Sequence, residues 1–223
     1  MSSHTIKIQN SNKQDFEQTL ETEVIESIYK ERCTDCGLNF KSMGPQFDKF
    51  KQYAAKFCVN RKIVLYDQAL SINCAKYFVQ ILMQYSMNIA IIEIGKNFLR
   101  DPGIIELSKG LKYTKCLVSL DVCSNEISPK GILALTQSIS QNESLASLNL
   151  STVDGIQRNR LSKEGGQYIA DYLISSERSM VQIFNLNNTS LGDKGLNFIL
   201  NAINVVIKRD LNDNKFQCEL LEK

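Results

Sequence analysis

The sequence predicts an α/β solenoid: short strand–turn–helix units stacked on one continuous core, with parallel strands along one side and helices along the other. Three observations predict it. First, Ile89 to Ser144 is one segment written twice, since IAIIEIGKNFLRDPGIIELSKGLKYTKC and LVSLDVCSNEISPKGILALTQSISQNES align without a gap. Second, both copies carry the same alternation of periods. Apolar residues spaced for a short strand (Ile89, Ile92, Ile94; Leu117, Leu120, Val122) precede an Asn (Asn97, Asn125) and an apolar residue (Leu99, Ile127). A helix-spaced trio then follows (Ile104, Leu107, Leu111; Ile132, Leu135, Ile139). Third, the position that opens each helical half recurs at intervals of roughly 30 residues, as Cys74, Gly103, Gly131, Gly165 and Gly195.

Whole-chain numbers agree with one such array. The chain has 223 residues, 43% of them hydrophobic and 22% charged, as in ordinary globular proteins. A net charge of +2 argues against nucleic-acid binding through a basic surface. The polar opening MSSHTIKIQNSNKQDF has no apolar signal region, and no apolar run is long enough for a membrane span. Seven cysteines, an odd number without a signal, fit a reducing interior and a cytoplasmic protein.

Residues 1–58 read as a polar tail and a helical cap. From Asp15, Phe16, Leu20, Val24 and Ile28 recur every fourth residue, with Ile25 and Tyr29 beside them and glutamates on the remaining surface. That is an amphipathic helix that needs a partner, and the end of a solenoid needs a cover. Cys33-Thr34-Asp35-Cys36 has no second ligand pair at zinc-site spacing, and the only histidine is His4, so no metal or redox role is expected. Cys33 instead joins Tyr29 on the buried face. After the Gly44-Pro45 break, Phe47, Phe50, Ala54 and Phe57 return to helical spacing. This second helix is expected to cover the open edge of the first strand, which would otherwise template aggregation.

Residues 59–223 read as about five full repeats and a partial sixth. The first is degenerate, with Ile63 and Leu65 in strand places, Gln68 for the Asn and the trio Ala75, Phe78, Leu82. The fourth has Leu145, Leu148 and Leu150, an insertion, then Asn159, Leu161 and the trio Gly166, Ile169, Leu173. The fifth has Val181, Phe184, Leu186, Thr189 for the Asn, and the trio Leu196, Ile199, Ile203. A sixth strand is expected from Val206, with Leu211, Asn214 and Phe216 in place.

Each unit leaves its apolar strand face and helix stripe uncovered, so neighbours must stack. A strand, a helix and the next parallel strand form the right-handed crossover that proteins use. Helices are roughly 10 Å wide and strands about 4.8 Å apart, so the stack is expected to curve with its sheet on the concave side. The Asn after each strand can both donate and accept, and so satisfies the backbone groups freed by the turn.

This pattern resembles the ribonuclease-inhibitor class of leucine-rich repeat from Asn60 to Phe216, a horseshoe with convex helices. Tyr29, Cys33, Pro45 and Phe47 are similar to the N-terminal lead of small leucine-rich proteins of cilia and axonemes. The resemblance implies an interaction scaffold within a larger, ciliary or axonemal, assembly.

In a curved array the inner sheet face is the recognition surface. Its outward places read Tyr66, Glu93, Asp121, Asn149, Asn185, Asn187 and Asp210, which are acidic and amide-rich. Such a face suits a protein partner with a basic or polar surface and repels nucleic acid. The insertion after Ser151 adds Ile156, Arg158 and Arg160 as rim contacts, because insertions in repeats map to loops on one face. Catalysis finds no support: His4 alone offers no base for a Ser or Cys nucleophile, and no phosphate loop or HExxH motif is present. No cofactor is expected. Ran GTPase-activating proteins resemble this repeat type and use a loop arginine, so Arg158 or Arg160 in a GTPase regulator is one alternative, and an enzyme inhibitor is another.

Overall fold

A computed structural model describes residues 22–41, 44–58, 61–84, 89–140, 142–153, 157–176 and 181–212. Two helices, α1 (Thr22–Asp35) and α2 (Pro45–Phe57), precede a regular alternation. It runs β1 (Lys62–Val64), α3 (Ile72–Gln84), β2 (Ile91–Glu93), α4 (Arg100–Leu111), β3 (Ser119–Asp121), α5 (Pro129–Ile139), β4 (Ser147–Asn149), α6 (Ser162–Ser175), β5 (Ile183–Asn185) and α7 (Gly192–Asn212). The five strands form one parallel sheet in sequence order. No helix among the described residues is long and apolar enough to cross a membrane.

The core lies between sheet and helices, where the repeat pattern puts it. The central residue of β1 to β4 (Ile63, Ile92, Leu120, Leu148) is buried, as are the helix trios of α3, α4 and α5. The asparagine ladder ties successive units together. Asn97 Oδ1 accepts from the backbone N–H groups of Gln68 and Leu70, and its Nδ2 donates to the carbonyls of Leu65, Ile94 and Gly95. Asn125 and Asn159 repeat the arrangement one and two units on. The insertion does not disturb it, because Asn159 N–H donates to Thr152 Oγ1 at 3.0 Å and closes the loop at its base.

The cap docks through its apolar stripes and through polar contacts that the apolar pattern does not display. Tyr29 packs against Phe47 and Phe50, with ring centroids 5.1 and 5.2 Å away, and joins α1 to α2. Asp35 accepts from the backbone N–H groups of Ser71, Asn73 and Cys74, so α1 supplies the N-terminal cap of α3. Asp101 does the same for α5, accepting from Ser128 N and Gly131 N. In the Cys33-Cys36 segment, then, Cys33 is buried, Cys36 is exposed, and the aspartate between them carries the structural contact. The edge of β1 is covered by α2 as expected: Cys58 Sγ exchanges hydrogen bonds with the Val64 backbone, and Tyr53 OH donates to Tyr66 O.

Two expectations change, and one falls partly outside the described residues. Phe16 and Leu20 lie outside the described residues, so the first helix is seen only from Thr22. Phe57 is exposed rather than part of the α2 core stripe. No sixth strand is found among the described residues: Val206 to Asn212 continue α7, and Asn214 and Phe216 lie outside the described residues. An uninterrupted helix satisfies its own backbone without a partner strand. With no sixth unit described beyond it, the fifth trio is half open, with Ile199 buried and Leu196 and Ile203 exposed.

Candidate protein-interaction face

Strand geometry sends alternate residues to opposite faces, and here the helices cover only one. The flanking residues of β2, β3 and β4 are half-buried while their central residue is inaccessible, so the opposite face of the sheet is uncovered. The strand register puts Val64, Glu93, Asp121, Asn149 and Asn185 in one row across that face. Ladder bonds continue the register beyond the strands, from Asp67 N to Gly95 O, Lys96 N to Cys123 O, Ser124 N to Ser151 O and Thr152 N to Asn187 O. A second row follows: Tyr66, Gly95, Cys123, Ser151 and Asn187. Six of the seven residues expected on this face therefore fall in two adjacent rows. Asp210 does not, because it lies in α7 rather than in a sixth strand.

The first row is held in place locally. Asp121 Oδ1 accepts from Cys123 N at 2.8 Å, Asn149 Oδ1 from Ser151 N at 3.1 Å, and Asn185 Oδ1 from Asn187 N at 3.2 Å. Asn149 Nδ2 also donates to Asp121 Oδ2 at 2.8 Å, linking neighbouring strands. Fixed in this way, the side chains present their remaining polar atoms at little entropic cost on contact. The Glu93 carboxylate makes no hydrogen bond or ion pair among the described residues, so its charge is available.

Tyr66 is the one large aromatic in these two rows. A Cβ built on Gly95 would lie 2.7 Å from Tyr66 Cε2 and 2.6 Å from Cys123 Sγ. Only a glycine, then, lets the ring lie on this strand. Cys123 Sγ donates to Tyr66 OH at 4.0 Å. Burial, followed by the nearby Asp121 carboxylate, pushes the Cys123 thiol up to about 12. Burial first, then the neighbouring thiol, pushes the Tyr66 hydroxyl to about 12 as well. Both groups stay neutral at physiological pH, and a buried thiol with so little thiolate is a poor nucleophile. The sequence signal for this pair was the run of small residues (Gly95, Cys123, Ser151) two places after each strand, opposite the single Tyr66.

At the rim, Arg158 and Arg160 are exposed on either side of buried Asn159, and Ile156 lies outside the described residues. Thr152 O accepts from Asn188 Nδ2, which sets the base of the insertion beside the second row at β5. Among the described residues no group of three or more His, Cys, Asp or Glu side chains is assembled that could hold a metal ion.

Parallel strands in sequence order, a helix after each, an asparagine ladder between units and one uncovered sheet face together define a leucine-rich-repeat-like, solenoid-type fold. No protein-family model matches the chain, and no curated protein matches it. Many solved structures share the fold, among them domains of leiomodin and tropomodulin. The leiomodin-1 actin-binding site 2 superposes with a TM-score of 0.50 at 17% identity, over 70% of this chain and 87% of its own. The tropomodulin C-terminal domain of Caenorhabditis elegans does so with a TM-score of 0.51 at 15% identity, over 86% of this chain and 98% of its own. At these identities the likeness is one of fold.

Proposed function

We propose that this chain is a non-catalytic protein-interaction scaffold of the ribonuclease-inhibitor repeat type, a subunit of a larger cytoplasmic assembly. It grips its partner with the uncovered face of the sheet, the concave side of the stack. The observation that carries this reading is the half-exposed row Val64, Glu93, Asp121, Asn149 and Asn185, with Tyr66 beside it. A preorganised acidic and amide row suits a basic or polar protein surface, and one rigid aromatic supplies an anchor. Ile156, Arg158 and Arg160 extend the contact to the rim.

Two settings have support. The cap residues Tyr29, Cys33, Pro45 and Phe47, by their likeness to small ciliary leucine-rich proteins, support an axonemal assembly. One of the similar structures is an actin-binding site, which makes actin the first partner to test. Cross-linking mass spectrometry in cell extract, with a biosensor titration of actin, tests both. Cross-links from the partner are expected on the strand side, at Lys62 and Lys96. Glu93→Lys, which breaks no described contact, is expected to weaken binding several-fold and to reverse its salt dependence. Cross-links confined to lysines of the helical side, with Glu93→Lys unchanged, would overturn the reading.

A further inference from the structure

A cleft of about 490 Å³ opens where the cap meets the first repeat. Its walls combine an apolar floor, Phe50 and the ring of Tyr53, with two cations, Arg32 and Lys49, and two amides, Gln46 and Gln68. No lining residue is a carboxylate. The volume lies in the range of small-ligand sites, roughly 300–1,000 Å³.

Arg32 is preorganised. Its Nε donates to the Gln68 carbonyl across the cleft, and its guanidinium lies 5.6 Å from the Tyr29 ring centroid and 5.9 Å from that of Phe50. Aromatic contact on the guanidinium and one anchored N–H hold the fork still. Its terminal nitrogens make no hydrogen bond or ion pair to the described residues. Lys49 is exposed and likewise makes no ion pair among them.

We infer that this cleft binds an oxyanion, a carboxylate or phosphate, carried on an apolar body. The fixed guanidinium fork matches two oxygens of such a group, Lys49 adds a second charge, and Phe50 and Tyr53 cover the body. The shared chemistry has two sources, a free small molecule or an anionic side chain on a partner.

Calorimetric and NMR titrations of the full chain with phenyl phosphate and with phenylacetate test the inference, with benzyl alcohol as the neutral control. Saturable binding of the two anions is expected, with shifts at Arg32, Gln68 and Tyr53, and none for benzyl alcohol. Lys49→Gln is expected to weaken phenyl phosphate about tenfold, the usual value of one charge-assisted contact. Arg32→Lys, which keeps the charge and loses the fork, is expected to weaken it at least as much. A capped peptide carrying phosphotyrosine that binds more tightly than phenyl phosphate assigns the anion to a partner's side chain. One that binds no better assigns it to a free molecule. Absence of saturation by about 10 mM, equal binding of benzyl alcohol, or unchanged affinity in folded Lys49→Gln overturns the inference.

Discussion

Replacing Asn159 with alanine isolates what the ladder contributes. Asn159 is inaccessible to solvent, and its Oδ1 is the acceptor for the backbone N–H groups of Asn125 at 2.9 Å and Ile127 at 3.0 Å. Neither N–H has another acceptor among the described residues. Its Nδ2 donates to the carbonyls of Val122 and Leu150. Alanine leaves both N–H groups buried and unpaired, at about 1–3 kcal/mol each, so a loss of about 2–6 kcal/mol is expected. Set against a total of about 5–15 kcal/mol for a folded domain, that is a large fraction. Urea denaturation followed by circular dichroism gives the number, read as a shift in midpoint. Because the lost bonds join the third unit to the fourth, the transition is also expected to broaden or split. Asn159→Asp keeps the acceptor for both N–H groups but loses the donor and buries a charge, so it should not rescue. A loss below about 0.5 kcal/mol, the range of ordinary surface substitutions, would refute the ladder argument.

Gly166→Ala tests the tightest helix crossing. A Cβ there would meet the Gly195 backbone at 2.6–2.8 Å, so α6 and α7 must separate, and about 1–3 kcal/mol of destabilisation is expected. Alanine in a helix normally gains about 1 kcal/mol over glycine, so a net loss in thermal or urea unfolding is diagnostic, and a gain would refute the close approach. Alkaline pH tests the buried thiols. Burial raises Cys58 to about 11 and Cys123 to about 12 from the usual 9.0. Their contribution is complete below the unfolded thiol's pKa and is lost as pH rises from there through the folded values, because the unfolded chain releases those protons first. Stability is expected to fall between about pH 9 and pH 12, and less steeply in Cys58→Ala and Cys123→Ser, measured as urea midpoint against pH.

The stack, the register of its strands and most of the residues on the uncovered sheet face were legible in the sequence, because each rests on contacts between equivalent residues of adjoining repeats. Ile92 and Leu120 face inward, and Glu93 and Asp121 outward, by strand geometry alone. Asn97 and Asn125 announce the turns, since a buried amide after a short strand has one task. The tertiary structure decided what depends on residues far apart in the chain with no period to mark them. Asp35 caps α3, Cys58 and Tyr53 close the edge of β1, Gly95 makes room for Tyr66, and Arg32 meets Lys49 across a cleft. It also decided the far end. Apolar spacing at Val206 and Leu211 suits a strand or a helix equally, and the described residues up to Asn212 continue α7. Periodicity records what a residue offers; whether that offer is taken up depends on the neighbour that folding brings to it.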